Sequence, residues 1–147
     1  MRFWDSSALV QLYLDQGLQK FVNRLYREDG DVVVWWGTQV ECLSAFLRYA
    51  REGGMTQADA DRVIRRFGTQ ARRWSEIQPV PLVRDQAARM LRLYSLRAAD
   101  ALQLAAAWLA ANQQPAELEF VSLDQRLRAA AAREGFPVPM ATQNDLP

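Results

Sequence analysis

The chain reads as an α/β protein, a three-layer α/β/α sandwich about a short, mainly parallel central sheet, and three observations predict it. Strand-like and helix-like periods alternate along the 147 residues, the pattern of a parallel sheet joined by right-handed crossovers. The run Val32-Val33-Val34-Trp35-Trp36 is β-branched and aromatic with no polar alternation, as in a strand covered on both faces. The helical stretches carry apolar residues at spacings of three and four, so each has one face to bury.

Taken in order, residues 1–4 form a short apolar strand ended by Asp5. Helices follow over residues 9–14 and 18–25, separated by Gly17. The second strand covers residues 31–36 and stops at Gly37. Thr38 opens a helix carrying Val40, Leu43, Phe46, Leu47 and Ala50 on one side, closed by Gly53-Gly54. Thr56 opens another that runs to about residue 74, with Val63, Ile64 and Phe67 inward and arginines outward. Residues 77–81 allow only a short strand, because prolines cannot donate to a ladder. Helices are expected at 84–94 and 97–112, a fourth strand at 119–123, a helix at 124–134 closed by Gly135, and a last short strand at 138–140. One domain spans residues 1–141, and the Pro-ended segment 142–147 reads as a loose tail.

Composition narrows the chemistry. Hydrophobic residues are 50% and charged residues 24%, as in an ordinary globular domain. No apolar run approaches the roughly 18 residues needed to span a bilayer, and the N-terminus reaches Asp5 too soon for a signal peptide, so a cytoplasmic location is expected. With Cys42 the only cysteine and no histidine, an internal disulfide, Cys/His zinc sites and histidine-based catalysis are excluded. Net charge is +1 from 18 basic and 17 acidic residues, too small a global field to indicate a polyanion partner. Lys20 is the only lysine, so arginine dominates; GC-rich coding explains that bias, and arginine's planar fork suits phosphate.

Four acids remain, each with an ordinary alternative. Asp5 and Asp124 end strands and start helices, so each is placed both to cap a helix and to face the crevice beyond the strand ends. Glu41 lies three residues after Thr38, the capping-box spacing. Asp100 stands in the first turns of an apolar helix, where it also favours the helix dipole. Jointly, all four fall at one edge of the sheet. Clustered carboxylates repel and raise one another's pKa unless a cation neutralises them. Oxygen-only ligands suit Mg²⁺ or Mn²⁺, and such an ion beside phosphate performs hydrolytic phosphodiester chemistry.

These residues carry a resemblance. Trp4-Asp5-Ser6-Ser7-Ala8-Leu9-Val10, Thr38-Gln39-Val40-Glu41, Leu96-Arg97-Ala98-Ala99-Asp100-Ala101-Leu102-Gln103, and Phe120-Val121-Ser122-Leu123-Asp124 with Gly135-Phe136 together resemble the PIN-domain ribonucleases, most closely the VapC-type toxins of bacterial toxin–antitoxin pairs. The resemblance covers nearly the whole chain and implies a PIN-like fold. It implies a metal-dependent endoribonuclease with Asp5, Glu41, Asp100 and Asp124 as catalytic ligands of one or two Mg²⁺ or Mn²⁺ ions. The capping-box spacing of Glu41 makes it the acid where the longest or a water-mediated contact is expected. Ser7, Thr38 and Ser122 match the hydroxyl positions beside the acids, where they would orient carboxylate or phosphate. Gln103 and Arg126 stand where some relatives carry a further acid, which bears on a second metal. A small antitoxin masking the site and a homodimer are implied partners.

Beside that resemblance, Arg62, Arg65, Arg66, Arg72 and Arg73 crowd one helix and are candidate RNA-phosphate contacts, or a solvated face beside Asp59, Asp61 and Glu76. Trp4, Trp35 and Trp108 read as packing, while Trp36 and Trp74 are open to packing, base stacking or a partner. Neither G-x-G-x-x-G nor G-x-x-x-x-G-K-[ST] occurs, so a nucleotide-binding module is not indicated. The rival functions are a DNA-directed nuclease of the same fold and a catalytically idle PIN-like binding domain.

Overall fold

In the computed structural model, which describes residues 1–146, four short strands pair in parallel. β1 (Arg2–Trp4), β2 (Val32–Trp35), β3 (Ser75–Ile77) and β4 (Glu119–Val121) stand in the order β3-β2-β1-β4. Helices α1 (Ser6–Gln11), α2 (Gln19–Glu28), α3 (Thr38–Arg51) and α4 (Gln57–Ala71) cover one face. Helices α5 (Pro81–Leu93), α6 (Ala98–Ala110) and α7 (Gln125–Glu134) cover the other. The fold is the expected three-layer α/β/α sandwich.

Successive strand residues point to opposite faces, which divides the core in two. Val33 and Trp35 join Phe3 and Phe120 beneath α5, α6 and α7, with the two phenyl rings stacked at 5.4 Å. Val32 and Val34 join Trp4 and Val121 beneath α1 to α4. Because both faces are covered, every residue of β2 is buried, which explains its unbroken apolar run.

From β1 the chain moves outward through β2 to β3, then returns to the other side of β1 as β4. The carboxyl ends of β1 and β4 therefore flank the point where strand order reverses, the crevice where open α/β sheets bind ligands. Gly37 turns the chain from β2 into α3; a Cβ there would lie 2.7 Å from Trp35 Nε1, so only glycine fits.

Several elements depart from the sequence expectation. β3 falls at Ser75–Ile77 rather than 77–81, and Pro81 instead opens α5, where its missing N–H is harmless. No strand forms at 138–140: Phe120 donates its N–H to the Pro137 carbonyl at 2.9 Å, but Pro137 and Pro139 have no N–H to continue a ladder. In α3, Phe46 turns inward as expected, but Val40 and Leu43 are exposed and Cys42 is buried in their stead. The segment expected as a loose tail is docked: Asp145, in a short 3-10 turn over Gln143–Asp145, accepts from Arg24 Nε at 2.9 Å and Nη2 at 2.8 Å. No helix among the described residues is long and apolar enough to cross a membrane.

Candidate active site: a carboxylate-lined cavity

The parallel register sets the geometry from the backbone up. Trp4 pairs with Val121, and the ladder continues one step as Asp5 donates its N–H to the Val121 carbonyl at 2.9 Å. Asp5 thereby comes beside Ser122, whose Oγ donates to Asp5 Oδ2 at 2.9 Å. Two residues later Asp124 caps the start of α7. On the other side of β1, β2 delivers Glu41 in the first turn of α3, and the first turn of α6 carries Asp100. A cavity of about 1220 Å³ opens here, lined by Glu41, Asp100 and Asp124 and by Arg48, Arg97 and Arg126.

Asp5 is 3% exposed and lies beneath Ser6 and Ser7, which themselves line the cavity. It does cap α1: Oδ2 accepts from Ser7 N at 3.2 Å and also from the Ser7 hydroxyl. Among the described residues Oδ1 meets only the Ser6 side chain, whose Oγ lies at 3.4 Å. A cap contributes about 1 kcal/mol, whereas burying an ionised carboxylate costs several kcal/mol, so capping does not by itself account for this burial. Asp124 likewise caps α7 through Oδ1, which accepts from Leu127 N at 2.8 Å. Cap and ligand are compatible in both, since the backbone contact of each uses one oxygen.

The capping box expected for Glu41 does not form. Gly37 is the N-cap of α3, and Thr38, fully buried, turns toward α6. Glu41 is held instead across the cavity wall: Ser6 Oγ donates to Oε2 at 3.0 Å and Gln103 Nε2 donates to Oε1 at 3.2 Å. Glu41 faces the cavity, while Asp5 is the acid set back from it.

Burial pushes the Asp5, Glu41 and Asp100 carboxyls above the usual range. Hydroxyl donors oppose this at Asp5. At Glu41 the neighbouring Asp5 and Asp100 add to it, and at Asp100 the charges of Asp124 and Asp5 add to it while Arg97 opposes. None of the four acids is ion-paired among the described residues. The donor set, all oxygen and lacking internal charge compensation, fits a hard divalent cation. Among the described residues, however, no three Asp, Glu or Cys side chains stand close enough together to hold a metal ion as they are placed.

Of the residues expected to support the acids, Ser7 and Ser122 hold Asp5, and Ser122 Oγ also accepts from Asp124 N at 3.1 Å. Thr38 reaches the site only through Gln103, whose Nε2 donates to Thr38 Oγ1 at 3.0 Å. None of Arg62, Arg65, Arg66, Arg72 and Arg73 lines the cavity. Arg62 pairs with Asp59, and Arg66 lies over the Tyr13 ring at 5.5 Å. The arginines at the cavity are Arg48, Arg97 and Arg126, which no local pattern distinguishes from the other surface arginines. Sequence reasoning also passed over Ser6 as a contact, although it adjoins Asp5, and assigned Gln103 no structural role. Trp74 is buried; Trp36 is 52% exposed.

No protein-family model and no curated protein matches the chain. Solved structures do match in fold. A structure titled as a toxin-antitoxin complex from Klebsiella pneumoniae aligns at TM-score 0.66 and 16% identity, covering 95% of this chain and 97% of that one. FitAcB from Neisseria gonorrhoeae aligns at TM-score 0.66 and 15% identity, covering 94% and 96%. PAE2754 from Pyrobaculum aerophilum aligns at TM-score 0.62 and 21% identity, covering 88% and 83%. At these identities the likeness is one of fold.

Proposed function

We propose that this chain is a Mg²⁺- or Mn²⁺-dependent endoribonuclease of PIN type that acts as the toxin of a toxin–antitoxin pair. The observation that carries the reading is that Glu41, Asp100 and Asp124 line the cavity at the switch point of the sheet with Asp5 buried behind Ser6 and Ser7, none of the four ion-paired among the described residues. The four sequence motifs that resemble PIN ribonucleases and the fold neighbour titled as a toxin-antitoxin complex support it.

Asp5, Glu41, Asp100 and Asp124 would hold the cation. When bound, it supplies Lewis acidity toward phosphate and lowers the pKa of water. The chain's own residues do the rest. Ser6, Ser7, Ser122 and Gln103 hold carboxylate oxygens of Asp5 and Glu41 in place. Arg48, Arg97 and Arg126 are exposed and free of ion pairs among the described residues, so they are available to phosphates flanking the scissile one. A cavity of about 1220 Å³ exceeds the roughly 300–1,000 Å³ that suits a small molecule, which favours a strand over a mononucleotide. Exposed Trp36, Val40 and Leu43, of which Val40 also lines the cavity, offer an antitoxin an apolar hold beside the mouth.

The test is incubation with RNA, single-stranded DNA and duplex DNA, each with Mg²⁺, Mn²⁺ or EDTA. RNA cleavage that EDTA abolishes is expected. Cleavage of DNA alone would replace the substrate assignment, and no cleavage of any of them with either metal would sink the enzyme reading.

A further inference from the structure

We propose that Gln103 is the positioning residue for Glu41, kept polar in the core so that its amide can aim that carboxylate at the cavity. This rests on the reading of Glu41 as part of a cation site.

Gln103 sits one turn beyond Asp100 on α6 and is fully buried, an unusual place for glutamine. Its Nε2 serves two acceptors, Thr38 Oγ1 at 3.0 Å and Glu41 Oε1 at 3.2 Å. The amide's orientation follows from charge: turned over, it would set its carbonyl oxygen against a carboxylate oxygen, acceptor against acceptor. The other Glu41 oxygen receives Ser6 Oγ at 3.0 Å. Each oxygen of Glu41 is thus held by a donor from a different helix, Ser6 of α1 and Gln103 of α6. A long, rotamer-rich side chain is confined to one direction.

A structural role alone does not account for this residue. Gln103 Oε1 is buried with no hydrogen-bond partner, and an orphaned carbonyl is a standing cost that calls for an explanation. Leu104, Ala105, Ala106 and Ala107, which follow it on α6, are all fully buried apolar residues. Methionine is close to glutamine in length and shape, would fill the same space and would remove the orphan. What methionine cannot do is donate to Glu41 or to the buried Thr38 hydroxyl.

The test measures Mn²⁺ binding by calorimetry without substrate, and thermal melting in EDTA and in Mn²⁺, for the wild type, Gln103→Met and Gln103→Glu. Gln103→Met is expected to melt close to the wild-type temperature in EDTA, because the orphan it removes is offset by the donor that Thr38 loses, while binding Mn²⁺ about 10- to 100-fold more weakly, the usual effect of losing a group that orients a ligand. A lower melting temperature with unchanged Mn²⁺ affinity overturns the proposal and leaves the cation site standing. Gln103→Glu keeps the outline but replaces the donor with a like charge. It is expected to melt lower than wild type in EDTA and to gain more from Mn²⁺; identical melting in both conditions also overturns the proposal. If the wild type takes up no Mn²⁺, the cation site itself falls, and the positioning role with it.

Discussion

Asp5 and Asp145 are buried almost equally, 3% and 4% exposed, and their electrostatics are opposite. Asp145 takes both forks of the Arg24 guanidinium and is capped in turn by the Thr142 N–H and hydroxyl, at 2.7 and 2.8 Å. Arg24 holds its carboxyl well below the usual carboxylate range. Asp5 has hydroxyl and backbone donors but no cation, and burial drives its carboxyl up. The first acid is complete within the chain, and its work is to fasten residues 142–146 to α2. The second, like Glu41 and Asp100, forms no ion pair among the described residues and lies at the carboxyl edge of the sheet. An acid whose charge the fold has already neutralised is structural; one buried without an ion pair is what the proposed cation site requires.

The comparison can be broken most sharply by activity. Asp5→Asn should lower RNA cleavage more than about 100-fold, beyond the loss typical of a merely supporting residue, while Asp145→Asn leaves cleavage intact; equal loss in both would erase the distinction. Stability should divide the other way. Asp145→Asn lowers the melting temperature by on the order of a few degrees, whereas Asp5→Asn, which keeps an oxygen for the cap and removes a buried charge, leaves it unchanged or raised.

Acid sharpens the contrast further. Asp145 is depressed in the folded state, so its contribution to stability is present above the unfolded value of about 3.9 and is lost as pH falls below it toward the folded value. The melting difference between wild type and Asp145→Asn should therefore shrink below about pH 4; a gap that persists there would rule out the ion pair as its source.

The smallest effect concerns the arginines. Arg48→Glu with Arg126→Glu should flatten the salt dependence of single-stranded RNA binding by about 0.7 in log–log slope per lost phosphate contact. Arg65→Glu with Arg66→Glu on α4 should not. A reversed result would move the RNA track to that helix.

Much of this was legible because the relevant signals are local. The order of strands and helices, the doubly covered β2 and the candidate acids all follow from periods of two and 3.6 residues and from the residues that end strands. Where boundaries shifted, a local feature had two outlets: Pro81 serves a strand poorly and a helix start well, and Thr38-x-x-Glu41 has capping-box spacing although Gly37 takes the cap. The docking of residues 142–146 was illegible because Arg24 and Asp145 lie 121 residues apart.

By itself the sequence excluded histidine chemistry and an internal disulfide, since the chain has no histidine and one cysteine, and placed Asp5 and Asp124 at the junctions where strands give way to helices. Only the tertiary structure decided the rest. It set Asp5 behind Ser6, turned Glu41 from its expected cap to the cavity wall, brought Gln103 from the opposite layer to hold it, and chose Arg48, Arg97 and Arg126 for the rim. The reason is physical: periodicity says which face of an element a residue occupies, but which faces meet is settled by packing three layers against one sheet.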